Sequence, residues 1–153
     1  IMVLARGLLP KLSYKSRVEV MTPLIPGLIG KKMSASDEKS KIDLLDDKDL
    51  VNQKLNSAEC VSGNPDNGVM AFLKYVIMTI KKDKKEKFVI ERSAKFGGKI
   101  EYSDYEKIEK DFVDKKLHPL DLKIAVAREV SKLLEPMQKS KIELEKLSKK
   151  AYS

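Results

Sequence analysis

Apolar residues in this chain recur mostly at helical spacing, and a few proline- and glycine-rich points interrupt them. The clearest run is 69–80, where Val69, Phe72, Leu73, Val76, Ile77 and Ile80 follow the i, i+3, i+4, i+7 pattern of one helix face. It predicts a central buried helix. An earlier helix is expected from Asp46, with Leu50, Val51, Leu55 and Ala58 on one side, ending at SGNPDNG (62–68). Ser103 and Glu106 have the S-x-x-E spacing of a capping box, opening a helix with Tyr105, Ile108 and Phe112 inward. After LHPLDL, Pro119 suits the first helical position and Asp121 the first turn, where a carboxylate meets the positive end of the helix dipole. Val126, Ala127, Val130, Leu133 and Leu134 carry that helix's apolar face until Pro136, which is expected to break or kink it. The last segment, 137–151, is lysine-rich, with Leu144 and Leu147 expected inward.

Alternation with period two is rarer. RVEVM (17–21) reads as a strand, FVIER (88–92) as a second short one, and KFGGKIEY (95–102) as a hairpin with a tight glycine turn. The run KKDKKEK (81–87) reads as a solvated connection. Residues 2–9 suit a short helix, and the prolines and glycines of TPLIPGLIGKKMSASDEKS (22–40) forbid regular structure up to Gly30. The expected fold is mainly α. A small piece of α/β structure reaches about residue 42, and 43–153 form a helical unit with a two-stranded insertion.

Composition narrows the class. An apolar fraction of 42% in 153 residues suits a globular chain, and 35% charged residues give it an ionic surface. The formal charge of +8 favours polyanionic partners such as RNA, a nucleotide or an acidic membrane. Cys60 is the one cysteine and His118 the one histidine, so an internal disulfide is excluded and a structural zinc site is argued against. Cys60 has no base beside it in sequence and reads as filler. The opening IMVLARGLLPKL is interrupted by Arg6 and Pro10, unlike a signal peptide, and is too short to span a membrane. Its start on Ile1 suggests a fragment.

The stretch GKKMSAS (30–36) can be read in two ways: a solvated turn with no task, or a flexible cradle for phosphate oxygens. Lys32 supplies a compact charge on a long stem, and Ser34 and Ser36 supply hydroxyls beside backbone N–H groups. Met33 suits a packing anchor, and Gly27 and Gly30 suit opening and closing.

KMSAS (32–36) resembles the KMSKS signature of class I aminoacyl-tRNA synthetases, with Ala35 where many members have a second lysine. Its setting is similar to that of the tyrosyl-tRNA synthetase family, archaeal and eukaryotic branch. The resemblance rests on PLIPGLIGKKMSASDEKSKIDLLD (23–46), KFGGKIEYSDYEKIEKDF (95–112), HPLDLK (118–123) and LLEP (133–136), in the family's order. It implies the end of a Rossmann-type catalytic domain over 1–42, then a helical anticodon-binding domain over 43–153.

The implied activity is ATP-dependent activation of tyrosine and its transfer to tRNA(Tyr) in the cytoplasm. Mg²⁺ would ride on the ATP phosphates without a protein ligand from this chain. Lys32, Ser34 and Ser36 would be the catalytic groups within an ATP-binding loop of Lys32, Met33, Ser34, Ala35 and Ser36. In the second unit, Phe96 would stack an anticodon base, Asp121 would accept from the Watson–Crick edge of guanine, and His118 would sit beside them. Each also has a plain structural reading: core aromatic, first-turn acid, helix-entry residue. The family further implies a homodimer through a missing catalytic part, no membrane association, and no catalysis by 1–153 alone. The rivals are a non-catalytic tRNA-binding module and the tryptophanyl-tRNA synthetase, which also carries KMSAS loops.

Overall fold

The computed structural model describes residues 2–15, 18, 20, 22–30, 33 and 37–151, without the side chains of 2, 148 and 149. In chain order these form α1 (Met2–Leu8), a 3-10 turn (Pro10–Leu12), α2 (Lys48–Ser57), α3 (Gly68–Phe72), a π turn (Leu73–Ile77) and α4 (Met78–Asp83). Then come β1 (Phe88–Ile90), a 3-10 turn (Ala94–Phe96), β2 (Ile100–Tyr102), α5 (Tyr105–Val113), α6 (Pro119–Lys139) and α7 (Lys141–Ala151). The chain is mainly helical, with a small two-stranded antiparallel sheet.

The core lies between α2, the 68–83 rod, the sheet, α5 and α6. Val51, Leu55, Leu73, Phe88, Phe112 and Leu122 are among its fully buried side chains. α2 packs along α6 and buries Val51, Lys54 and Leu55, with Ala58 just beyond its end. Leu50, expected inward, is instead exposed. The inward face is centred on 51, 54, 55 and 58, and a lysine fills one of its places because a carboxylate is waiting for it. Asp46 accepts from Lys54 Nζ at 2.6 Å and from the Asp43 amide at 2.8 Å. Its carbonyl accepts from Gln138 Nε2 of α6 at 2.8 Å. The adjoining Asp47 caps α2, accepting from the Leu50 amide.

α3, the π turn and α4 run on as one rod, capped by Asn67, which accepts from the Met70 amide. The expected face is met in part and displaced towards its end. Val69, Met70, Leu73, Ile77 and Met78 are buried, while Phe72, Val76 and Ile80 are only half-buried. A π turn holds one more residue than an α turn, so positions beyond it rotate relative to a strict 3.6 repeat.

The run 81–87 is more than a solvated connection. Lys81 pairs with Glu129 of α6 at 2.7 Å and with Glu86 at 2.9 Å. The rod then ends with Lys85 in the left-handed region, φ 55°, where the Glu86 amide donates to Lys81 O and the Lys85 amide to Lys82 O. That is the Schellman geometry, made here without glycine. Glu129 also meets Lys132 at 3.0 Å. Burial opposes ionisation of its carboxylate, but the bonds from Lys81 and Lys132 outweigh burial and hold its pKa below the ordinary glutamate value.

β1 pairs antiparallel with β2, Phe88 opposite Tyr102 and Ile90 opposite Ile100. The expected hairpin within 95–102 is therefore corrected: the partner strands are 88–90 and 100–102, and 91–99 form the connection. The Ser103–Glu106 capping box is also absent. α5 starts at Tyr105 with Asp104 as N-cap, which makes no side-chain capping bond. Its inner face of Tyr105, Ile108 and Phe112 is as expected. α6 continues through Pro136 to Lys139, because a proline this near the C-terminus removes one amide with few turns left to disrupt. In α7, Leu144 is half-buried, but Leu147 is exposed rather than inward.

The N-terminal segment differs most from expectation. α1 forms, yet Val3, Leu4 and Leu8 on it are exposed. Of the expected strand 17–21, residues 17, 19 and 21 lie outside the described residues; Val18 and Val20 are in no strand and are exposed. A strand needs a neighbour to share its ladder, and among the described residues none stands beside these valines.

Candidate functional site

The loop around KMSAS has a fixed base. Pro26, Gly27 and Leu28 lead into it, and Leu28 is buried in the core. The Leu28 amide donates to Ser40 O at 2.9 Å, and Leu28 O accepts from the Glu59 amide at 2.7 Å. The two ends of the loop are thereby tied to each other and to the segment following α2. Ser40 is buried, and its hydroxyl donates to Asp37 O, closing the turn that leads out of the loop. Gly30 adopts φ +71°, a conformation that favours glycine, and its amide donates to Glu59 Oε2 at 3.2 Å.

Gly27 is buried, with its carbonyl pressed against Gly68 at the start of α3: a Cβ on Gly68 would lie 2.2 Å from that oxygen. Gly27 thus serves close packing, while Gly30 supplies the unusual backbone angle. Gly68→Ala should push α3 away from the loop base and destabilise the chain by about 1–3 kcal/mol, read by urea unfolding. A midpoint equal to the parent's would show that the contact yields freely.

Lys32, Ser34, Ala35 and Ser36 lie outside the described residues. Met33 is described and exposed, so it is not the packing anchor expected of it. Leu28 takes that part.

The second candidate site is built on the 91–99 connection and the entry to α6. Phe96 is 69% exposed, which removes the core-aromatic reading. It ends a 3-10 turn whose amides fold back on Ser93 and Ala94, and Gly97 and Gly98 follow with φ of 89° and 69°. Arg92 holds this turn in place. Its Nε donates to Gly98 O and one terminal nitrogen donates to Lys116 O, both at 3.2 Å. Lys116 lies two residues before His118, so Arg92 ties the Phe96 turn to the entry of α6. A Cβ at Gly97 would meet the Arg92 guanidinium at 3.0 Å, so glycine also lets that side chain lie flat.

His118 is exposed and caps α6, its Nδ1 accepting from the Leu120 amide at 3.1 Å. In the neutral ring that leaves Nε2 as the donor. Asp121, in the first turn, is half-buried rather than buried, and its carboxylate has no hydrogen-bond or ion-pair partner among the described residues. An ionised carboxylate only accepts, so it can take donors from a ligand.

Cys60 is half-buried, and burial pushes its thiol up to about 11, so it stays protonated and unreactive near neutrality. Among the described residues no group of three His, Cys, Asp or Glu could hold a metal ion, and no helix is long and apolar enough to cross a membrane.

Residues 1–135 match the family of class I tRNA synthetases for W and Y, and the chain belongs to that family. The cytoplasmic tyrosine–tRNA ligase of Danio rerio is 46% identical over 99% of this chain and 28% of its own length, and that of Saccharomyces cerevisiae is 45% identical over 99% and 41%. The structure of tyrosyl-tRNA synthetase complexed with L-tyrosine from Archaeoglobus fulgidus superimposes with a TM-score of 0.81 at 42% identity, over 90% of this chain and 42% of that one. Within the family, the chain is of the tyrosyl, archaeal and eukaryotic type. It spans less than half the length of these relatives.

Proposed function

We propose that this chain supplies the ATP-binding loop and the anticodon-reading unit of a tyrosine–tRNA ligase acting in the cytoplasm. Residues 1–42 are then the end of a Rossmann-type catalytic domain, and 43–153 are the anticodon-binding domain. Tyrosine, its pocket and the surface for homodimerisation belong to the rest of the enzyme, and 1–153 alone do not catalyse. Lys32, Ser34 and Ser36 meet the phosphates of ATP, with Mg²⁺ carried by those phosphates. Met33 and Ala35 complete the loop.

Two observations carry the RNA half: Phe96 is exposed on a glycine turn that Arg92 ties to the segment before α6, and the Asp121 carboxylate in the first turn of α6 has no partner among the described residues. An exposed ring offers a face to an unstacked base, and a carboxylate accepts from both N1–H and N2–H of guanine, the first base of a tyrosine anticodon. Exposed His118, at the N-cap of the same helix, is the further base or backbone contact.

In the full-length enzyme, Phe96→Ala should weaken tRNA(Tyr) binding by about 1–3 kcal/mol, the worth of one base on an aromatic ring. Asp121→Ala should in addition relax discrimination against a tRNA altered at that base. Both are read as dissociation constants at one fixed salt concentration, since phosphate contacts vary with salt. Unchanged affinity and discrimination in both variants would remove the anticodon assignment.

A further inference from the structure

Among the described residues, Glu59 is a charged side chain of the helical unit that bonds the base of the KMSAS loop. It follows Ala58, the C-cap of α2, and lies outside the family-like motifs at 23–46, 95–112, 118–123 and 133–136. Two of its groups act on the loop base together. Its amide donates to Leu28 O at 2.7 Å, and its carboxylate accepts from the Gly30 amide at 3.2 Å. The backbone bond fixes Glu59 relative to buried Leu28; the side-chain bond then fixes Gly30, two residues ahead of Lys32, at its left-handed angle. Glu59 and Gly30 face the same cleft, about 360 Å³ in volume, whose walls include Pro26, Asn64 and Asn67.

We infer that Glu59 is a positioning residue for amino-acid activation: through the Gly30 amide it sets the direction in which the KMSAS loop leaves its base. This rests on the proposed role of that loop. The physical case is one of leverage. Among the described residues, the Leu28 and Ser40 backbone bonds tie the base as a unit, whereas the Gly30 amide is held by the carboxylate of Glu59. A charge-assisted bond to an amide is directional and stronger than a neutral one. A small rotation at Gly30 is magnified at the end of a lysine side chain, and misplacement by about 1 Å can cost a hundredfold in rate.

The test uses full-length enzyme and tyrosine-dependent ATP–pyrophosphate exchange. Glu59→Ala should slow exchange about tenfold and raise the KM for ATP, consistent with loss of one charge-assisted hydrogen bond. The tyrosine KM, tRNA(Tyr) affinity and melting temperature should stay at parental values. Glu59→Gln, which keeps an acceptor oxygen, should restore most of the rate. In a Lys32→Ala background, Glu59→Ala should add little, since it acts through the loop.

Parental exchange by Glu59→Ala, with Lys32→Ala slow, would overturn the positioning role and leave the loop's role standing. A slow Glu59→Ala that also melts early or binds tRNA(Tyr) poorly would overturn it in favour of a structural role. Parental exchange by Lys32→Ala would overturn the loop's role and this inference together.

Discussion

Lys32→Ala in the full-length enzyme is expected to slow tyrosine-dependent ATP–pyrophosphate exchange by about 10²–10³-fold, which is roughly 3–4 kcal/mol of transition-state stabilisation. Attack of the tyrosine carboxylate on the α-phosphate builds negative charge on oxygens leading to the departing pyrophosphate. A lysine that reaches them mainly in the transition state lowers the barrier more than it tightens ground-state binding. The loss should therefore appear chiefly in kcat, with a smaller change in the KM for ATP. Ala35 carries no charge where many class I enzymes place a second lysine, so the proposed role rests more heavily on Lys32. Binding of tRNA(Tyr) should be parental, because the RNA contacts are assigned to the separate surface around Phe96 and Asp121. Arginine at 32 is a useful further variant: it keeps the charge but replaces a compact ammonium by a planar fork, and partial recovery would point to charge as the main contribution. Parental kcat in Lys32→Ala would remove the catalytic role from the loop.

How much of this was legible beforehand varies with the kind of signal. The inner face of α5 was readable, and that of α6 except for half-buried Leu133 and buried Glu129, because their apolar positions follow a regular α repeat. The 68–83 rod was recognisable as a helix and by part of its buried face, Val69, Leu73 and Ile77, but Met70 and Met78 were not anticipated, and the π turn leaves no compositional mark while shifting the positions beyond it. The helix end at Lys85 was missed for a related reason: lysine stands where glycine usually signals a left-handed cap, and the backbone bonds to Lys81 O and Lys82 O overcome that preference. The hairpin was misplaced because Gly97 and Gly98 resemble a two-residue turn, whereas they shape one end of a longer connection that carries Phe96.

For the candidate sites, Phe96, His118 and Asp121 could be named from motifs, but the side chain that ties their segments together could not. Arg92 reads as one more charge at the end of a strand until the structure shows it spanning from Gly98 O to Lys116 O. Glu59 is equally silent, because its partner amide lies 29 positions away. Contacts between distant backbone groups and ordinary charged residues leave no periodicity or spacing to read.

The same blindness applies to Asp46, whose replacement should have the largest effect on stability. Asp46→Ala is expected to destabilise the chain by about 3–5 kcal/mol, because breaking a buried ion pair from one side strands the other charge. Both partners are almost fully buried, with side-chain exposures of 8% for Lys54 and 7% for Asp46. The carboxylate also satisfies the Asp43 amide, so alanine would leave two donors without an acceptor. Through its carbonyl and Gln138, the same residue connects the start of α2 to the end of α6. The loss should therefore be cooperative, lowering the urea midpoint without a change in the denaturant slope. Removing both charges separates the ion pair from the packing around it. Asp46→Asn combined with Lys54→Met keeps an acceptor for Asp43 and fills the lysine's path with an apolar chain, so the double variant should be more stable than Asp46→Ala. If instead Asp46→Ala unfolds at the parental midpoint, Lys54 must reach water without cost, and the pair is not what holds α2 to the core.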